Sequence, residues 1–214
     1  LLQDEDTIEG YTSDDFLISD NLVISPLEDS IETLPGDIIT LDGSISDADG
    51  NIPSDAKLNV NFNTKDYPAK IIQGDFTTIL KIPKIIKSGV HEINLTASDD
   101  NGNNGEASIS LEIIPIPTRI EVEVDEQTVD PEDTVSILPI LLDQNGDDLN
   151  STITIELRSP DNIKLFEKDV ESNLEFEHTV GKHDDPGSYS IKASLDNLDG
   201  SESFFVSKIR EVKI

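Results

Sequence analysis

Asp47-Ala48-Asp49-Gly50-Asn51 places oxygen-bearing side chains at alternate positions around one glycine. Loops that hold Ca2+ use this spacing, because the ion takes about six to eight oxygens at about 2.3–2.6 Å and one short loop supplies only some of them. The pattern is not a complete EF-hand, since Leu58 stands where the twelfth-position Glu belongs. Asp99, Asp100 and Asn101 are the candidates for the remaining ligands, on the expectation that both loops lie at one end of the same domain. Turn formation is the competing reading, because Asp, Asn and Gly are also what tight turns use. Asp143, Asn145, Asp147 and Asp148 form a second acidic loop, and its Asn145-Gly146 step is a hairpin signal in its own right.

Asn94-Leu95-Thr96 and Asn150-Ser151-Thr152 are acceptor sequences for N-glycosylation, which gives Asn94 and Asn150 as expected modification sites. Of the three histidines, His178 falls on an expected inward face and reads as a hydrogen-bonded core imidazole. His183, beside Asp184 and Asp185, reads as part of a solvated turn; His91 is the third. No HExxH, no phosphate-cradling glycine loop and no nucleophile motif occurs. The abundance of carboxylates is not evidence of acid–base catalysis in so acidic a chain. The expectation is a non-enzymatic protein.

The elements that position these residues are strands. Leu58, Val60 and Phe62 alternate with Asn59 and Asn61; Ile93, Leu95 and Ala97 alternate with Asn94 and Thr96; Ile109, Leu111 and Ile113 continue the period of two. Leu22, Ile24 and Leu27 open this half, followed by Ile39, Leu41 and Ile45, then Ile71-Ile72 and Phe76 to Ile82. About seven short strands with turn signals between them indicate a sandwich. The stretch Ile114-Pro115-Ile116-Pro117-Thr118 breaks the pattern, and two prolines one residue apart make an extended joint. After it the period returns at Ile120, Val122 and Val124, at Val135 to Leu142, at Ile153, Ile155 and Leu157, at Ile163 and Leu165, at Leu174, Phe176 and His178, at Tyr189, Ile191 and Ala193, and from Phe204 to Ile214. The expected organisation is an acidic linker or arm over 1–20, one sandwich over 21–115 and a second over 116–214.

Composition agrees with this. The 214 residues carry 45 acidic and 15 basic side chains for a formal charge of -30, yet 35% are hydrophobic, enough for a folded core. Isoleucine leads the aliphatics, which favours strands. Such a charge disfavours nucleic acid and anionic membranes, whose binding needs clustered Lys and Arg. It suits cations, saline media or basic partners. The chain has no Cys and no apolar run of membrane-spanning length. It begins with Leu and contains no Met, which leads us to expect a processed chain or a piece of a longer one.

Two resemblances follow. "PGDIITLDGSISDADGNI" at 35–52 and "GVHEINLTASDDNGNNGEASISLEI" at 89–113 resemble the opening and closing of PKD-type or cadherin-like surface domains. "KLNVNFN" at 57–63 departs from the tryptophan-bearing strand of the PKD pattern. "VEVDEQTVDPEDTVSILPILLDQNGDDLNSTITIELRSPDN" at 122–162, with "DDPGSYSIKASLDNLDGSESFFV" at 184–206, resembles the immunoglobulin-like repeats of archaeal and bacterial surface proteins, which are similar to macroglobulin-type domains. Asp143-Gln144-Asn145-Gly146 and Pro186-Gly187-Ser188-Tyr189 match that pattern; Pro131-Glu132-Asp133 replaces its first Pro-Gly turn. The resemblances imply an all-β protein of two tandem immunoglobulin-like β-sandwich domains. They imply an extracellular place in a surface protein of the S-layer or envelope kind, with the same protein's other domains or neighbouring surface proteins as partners. The alternative is a carbohydrate- or protein-binding accessory module of a secreted multidomain enzyme.

Overall fold

The structure, a computed structural model, describes residues 21–53 and 55–208. The expected acidic arm at 1–20 lies outside them, as does the end of the last expected strand. Nine strands precede the Pro-rich joint: β1 (Val23–Pro26), β2 (Ser30–Thr33), β3 (Ile38–Ser46), β4 (Lys57–Phe62), β5 (Lys65–Pro68), β6 (Lys70–Ile72), β7 (Asp75–Lys81), β8 (Gly89–Ser98) and β9 (Asn104–Ile113). Eight follow it: β10 (Arg119–Val124), β11 (Thr128–Val129), β12 (Thr134–Leu142), β13 (Thr152–Arg158), β14 (Lys164–Glu171), β15 (Phe176–Thr179), β16 (Gly187–Leu195) and β17 (Leu198–Val206). Among the described residues no helix is long and apolar enough to cross a membrane.

The first nine strands form two sheets, in the orders β1-β3-β7-β6 and β2-β9-β8-β4-β5. Period-two burial supplies the core: Leu41, Ile45, Phe76 and Leu80 from one sheet, Val60, Phe62, Ile93, Leu95, Ile109 and Leu111 from the other. The last eight strands form sheets β10-β12-β15 and β11-β17-β16-β13-β14. Their core joins Val135, Ile137 and Leu141 to Ile153, Ile155, Leu157, Tyr189, Ile191 and Phe204. By contact, the chain falls into two compact units. Residues 21–29, 40–53, 55–79 and 92–109 belong to one; residues 30–39, 80–91 and 110–208 belong to the other.

Each set opens in the same way. Its first strand pairs antiparallel in one sheet (Ile24 with Ile45, Ile120 with Leu141). The chain then crosses to the other sheet, where a short strand runs parallel to the last one: Ser30–Thr33 beside Ser110–Ile113, and Thr128–Val129 beside Phe205–Val206.

Several expectations need correction. Leu27 lies past the end of β1 and is exposed, because the chain is already turning toward the second sheet. Ile163 and Leu165 point outward, and Phe166 and Val170 pack on the core instead. The register slips between Leu157, opposite Phe166, and Arg158, opposite Lys164, so Leu165 is an extra residue. Such a bulge moves the following side chains to the other face. Leu174 is exposed in the connection before β15, just past the turn at Ser172 and Asn173.

Candidate functional site

Both parts of the expected calcium site are turns of one design. In the connection after β3, Asp47 Oδ1 accepts the backbone N–H of Asp49 (3.0 Å) and of Asn51 (2.7 Å), while Oδ2 accepts Asn51 Nδ2 (3.0 Å). In the connection after β8, Asp99 Oδ1 accepts the N–H of Asn101 and of Asn103 (both 2.9 Å), and Oδ2 accepts Asn103 Nδ2 (2.8 Å). The connection after β12 repeats the arrangement, with Asp143 Oδ1 accepting the N–H of Asn145 (2.8 Å) and of Asp147 (3.0 Å). The backbone closes each loop identically. The glycine at the fourth position donates to the carbonyl of the first residue, and the first residue donates to the carbonyl of the fifth. Gly50, Gly102 and Gly146 all take φ between 84° and 87°, the left-handed region that suits glycine.

The repeated unit is therefore Asp-x-x-Gly followed by Asn or Asp, at 47, 99 and 143. The expected ligand set groups Asp47, Asp49 and Asn51 in the first loop and stops at Asn101 in the second. The residue whose side chain answers Asp99 is Asn103. The signal was present as the common spacing of Asp, Gly and amide or acid at the first, fourth and fifth places.

The carboxylates are stabilised as anions. The side-chain amide of Asn51, then the backbone N–H groups around it, hold Asp47 below the ordinary aspartate value. Burial pulls Asp99 upward, but the N–H groups and side chain of Asn103 and the N–H of Asn101 outweigh it, so Asp99 too is lowered. Asp143 is buried; desolvation works against its charge, and the Ser88 hydroxyl and the loop N–H groups overcome it. Ser88 Oγ donates to Asp143 Oδ2, and both residues belong to the same compact unit.

Leu58 pairs with Ala97, which puts the 47–51 and 99–103 loops at one end of their sandwich as expected. There Lys57 Nζ bonds Asp100 Oδ1 at 2.8 Å, so a protein cation already stands beside the second loop. Among the described residues, no group of three or more His, Asp or Glu side chains gathers in a way that could hold a metal ion.

Asn94 and Asn150 are both exposed. Asn94 lies on the outer face of β8, opposite Asn61, and lines a shallow hollow of about 470 Å3 with Glu92, Thr96, Glu106 and Ser108. Nearby, Asp66 Oδ1 accepts the side-chain amides of Asn59 (3.0 Å) and Asn61 (2.7 Å). Asn150 Oδ1 accepts Asn173 Nδ2 at 3.1 Å. His183 is exposed, in keeping with a turn. His178 does face inward but is only half-buried, and its Nε2 makes no hydrogen bond among the described residues, in contrast to the expected bonded imidazole.

No protein-family profile and no curated protein matches the sequence. Solved structures do. The two-domain structure described as DIP-gamma IG1+IG2 matches with a TM-score of 0.51 at 10% identity, over 87% of this chain and 97% of that one. Both halves are immunoglobulin-like. The Yersinia pseudotuberculosis adhesin InvE aligns at 14% identity and TM-score 0.40, over 88% of this chain and 59% of the adhesin chain. The titin I-band fragment I67-I69 aligns at 13% identity and TM-score 0.42, over 87% and 65%. This chain thus spans less than two thirds of the adhesin and titin chains it matches.

The immunoglobulin-like assignment gives a role to Tyr189, near the start of β16. Its hydroxyl donates back to the Asp185 carbonyl four residues upstream, at 3.0 Å. This is the tyrosine corner of such sandwiches. In the first half His91 takes the same place in β8, and its Nε2 bonds the Lys87 carbonyl, again four residues upstream, at 2.7 Å.

Proposed function

We propose that the chain is a structural or adhesive module of an extracellular surface protein, of the S-layer or envelope kind, and that it carries tension rather than catalysing a reaction. The observation behind this reading is the parallel pairing of the second strand with the last in both sandwiches, β2 with β9 and β11 with β17. Pulling on the two ends of a parallel pair loads all its hydrogen bonds in shear at once, whereas an antiparallel hairpin unzips one bond at a time. Turn ends fastened by Asp47, Asp99 and Asp143 add stiffness, and the charge of -30 keeps the surface hydrated. The partners in this reading are further domains of the same protein or neighbouring surface proteins.

Single-molecule stretching tests it. We expect two unfolding events, each with a distinct force peak. Ile114→Pro deletes the N–H that donates to the Thr33 carbonyl at 3.0 Å, and should lower one peak and leave the other unchanged. Extension without a peak would refute the mechanical role.

The second reading, a carbohydrate-binding accessory module, draws on the amide-rich outer face of β4, β5 and β8. Asn59, Asn61 and Asp66 are held there by their own hydrogen bonds beside the hollow at Asn94. A glycan array decides it, with Asn61→Ala as the control.

Calcium at Asp47, Asp49, Asn51, Asp99, Asp100 and Asn101 is a separate proposal. A rise in melting temperature with millimolar Ca2+ at constant ionic strength, removed by Asp49→Ala, would support it. No rise beyond matched ionic strength would leave these residues as turn formers. Glycosylation of Asn94 and Asn150 is tested by peptide mass spectrometry of protein from its natural source.

A further inference from the structure

We propose that His178 is an acid-sensitive latch on the second sandwich, and that protonating its imidazole releases the edge strand β15 from β12. β15 is four residues long and, among the described residues, lies at the end of its sheet with β12 as its one paired neighbour. Register sets His178 opposite Val135 and Phe176 opposite Ile137, which turns both rings toward the core. The imidazole spans the gap between the two sheets. Its centroid lies 5.6 Å from Phe166 of β14 and 6.3 Å from Phe204 of β17, and Phe204 stacks in turn on Tyr189 at 5.3 Å. His178 is thus the wedge by which a short edge strand is packed against the opposite sheet.

The wedge suits a neutral ring only. Nε2 is buried and finds no acceptor among the described residues, so a proton added there enters an aromatic cleft with no described group to receive its N–H. Lys168 already places a cation at this mouth, with Nζ 3.7 Å from the Phe176 centroid and 5.2 Å from that of Phe166. Of the charged groups around the ring, Lys168 opposes an imidazolium and Asp184 favours it. Glu177, the neighbour on β15, points to the exposed face. Burial is the largest influence and holds the imidazole below the ordinary histidine value.

Apart from this wedge β15 is a short strand held from one side. It has its short ladder to β12, the partly buried Phe176 ring, a Thr134–Thr179 hydroxyl contact at 2.9 Å, and the buried Val180 just beyond its end, which is bonded through its backbone to Asp133 and Glu132. Loss of the wedge frees an edge of β12 whose N–H and C=O groups are then open to another strand.

The sign follows from linkage. A folded value below the unfolded one, about 6.5, means that the open form takes up the proton first. The latch is fully closed above about pH 6.5 and weakens as pH falls through the folded value. With one proton taken up on opening, the open population rises by at most about tenfold per pH unit across that window.

The test is hydrogen exchange of the whole chain between pH 7 and pH 5, read as protection factors so that intrinsic exchange rates cancel. Protection at Glu177, His178 and Thr179 should be constant above about pH 6.5 and fall below it with a slope that approaches but does not exceed about tenfold per pH unit, while β13 and β16 hold theirs. His178→Phe should abolish the pH dependence. A ring signal titrating below the ordinary histidine value, followed by NMR on the unaltered chain, supports the latch even if that variant folds poorly. The proposal is overturned if the ring titrates at or above the ordinary value, if β15 protection is independent of pH, or if the dependence persists in a folded His178→Phe.

Discussion

The Leu22 carbonyl crosses Gly105 so closely that a Cβ on the glycine would sit 2.1 Å from the carbonyl oxygen, and the second sandwich repeats the crossing with Ile120 over Gly200 at 2.5 Å. Each glycine lies on the last strand of its sandwich, beneath the start of the first. Backbone cannot retreat as a flexible side chain can, so a methyl group must push the first strand away. Gly105→Ala and Gly200→Ala should each cost about 1–3 kcal/mol in denaturant unfolding, as overpacking does. An unchanged midpoint for either variant would show that the entering strand is not held where it appears.

Tyr189 should be worth more than its ring. Tyr189→Phe keeps the stacking on Phe204 and removes the bond to Asp185, leaving a carbonyl without its donor. We expect a loss of about 1 kcal/mol. His91 holds the equivalent bond to Lys87 from a more exposed position, so His91→Phe should cost less. Equilibrium unfolding of both variants measures the difference, and a neutral Tyr189→Phe would remove the corner from the account of stability.

Much of this was legible because burial on one face forces a period of two. Leu58, Val60 and Phe62 in β4 and Ile93, Leu95 and Ala97 in β8 are all buried, as their alternation with polar residues required. The bulge at Leu165 was not legible, because Leu165-Phe166 offers an apolar side chain to either register and only the partner strand chooses. β2 and β11 were missed for a different reason. They are short, and what defines them is a parallel partner about 80 residues away, which leaves no local pattern. In the candidate site, oxygen-bearing side chains at alternate positions suggested an ion. Backbone N–H groups that meet the same carboxylates are invisible in a sequence, since every residue except proline carries one.

Thr64 marks a place where the chain stores strain. Asn63 and Thr64 form the two-residue loop between β4 and β5, with φ of 49° and 62°. Both positive angles identify a type I′ turn, which prefers Asn-Gly. A β-branched residue there places Cβ against the following carbonyl, at a cost of about 1–2 kcal/mol. Thr64→Gly should raise stability by about 1 kcal/mol net of the unfolded-state entropy that glycine adds. A fall in melting temperature would mean that Thr64 makes a compensating contact.

The Asp47 turn should leave a signature in acid. Its carboxylate is held below the ordinary value of 3.8, mainly by the Asn51 amide and then by the N–H groups of Asn51 and Asp49. The unfolded chain therefore takes up this proton before the folded one does. The stabilisation is complete above the unfolded value and is lost as pH falls through the lower, folded one. Asp47→Asn retains an acceptor for the two backbone N–H groups and cannot titrate. Unaltered protein and variant should thus differ in melting temperature at pH 7 by an amount that shrinks as the pH drops below about 4. Taking the difference cancels the other acidic side chains, whose protonation relieves repulsion in both proteins alike. Melting curves from pH 7 to pH 2 give the comparison. A gap independent of pH would show that Asn51 is bonded no more tightly by a carboxylate than by an amide.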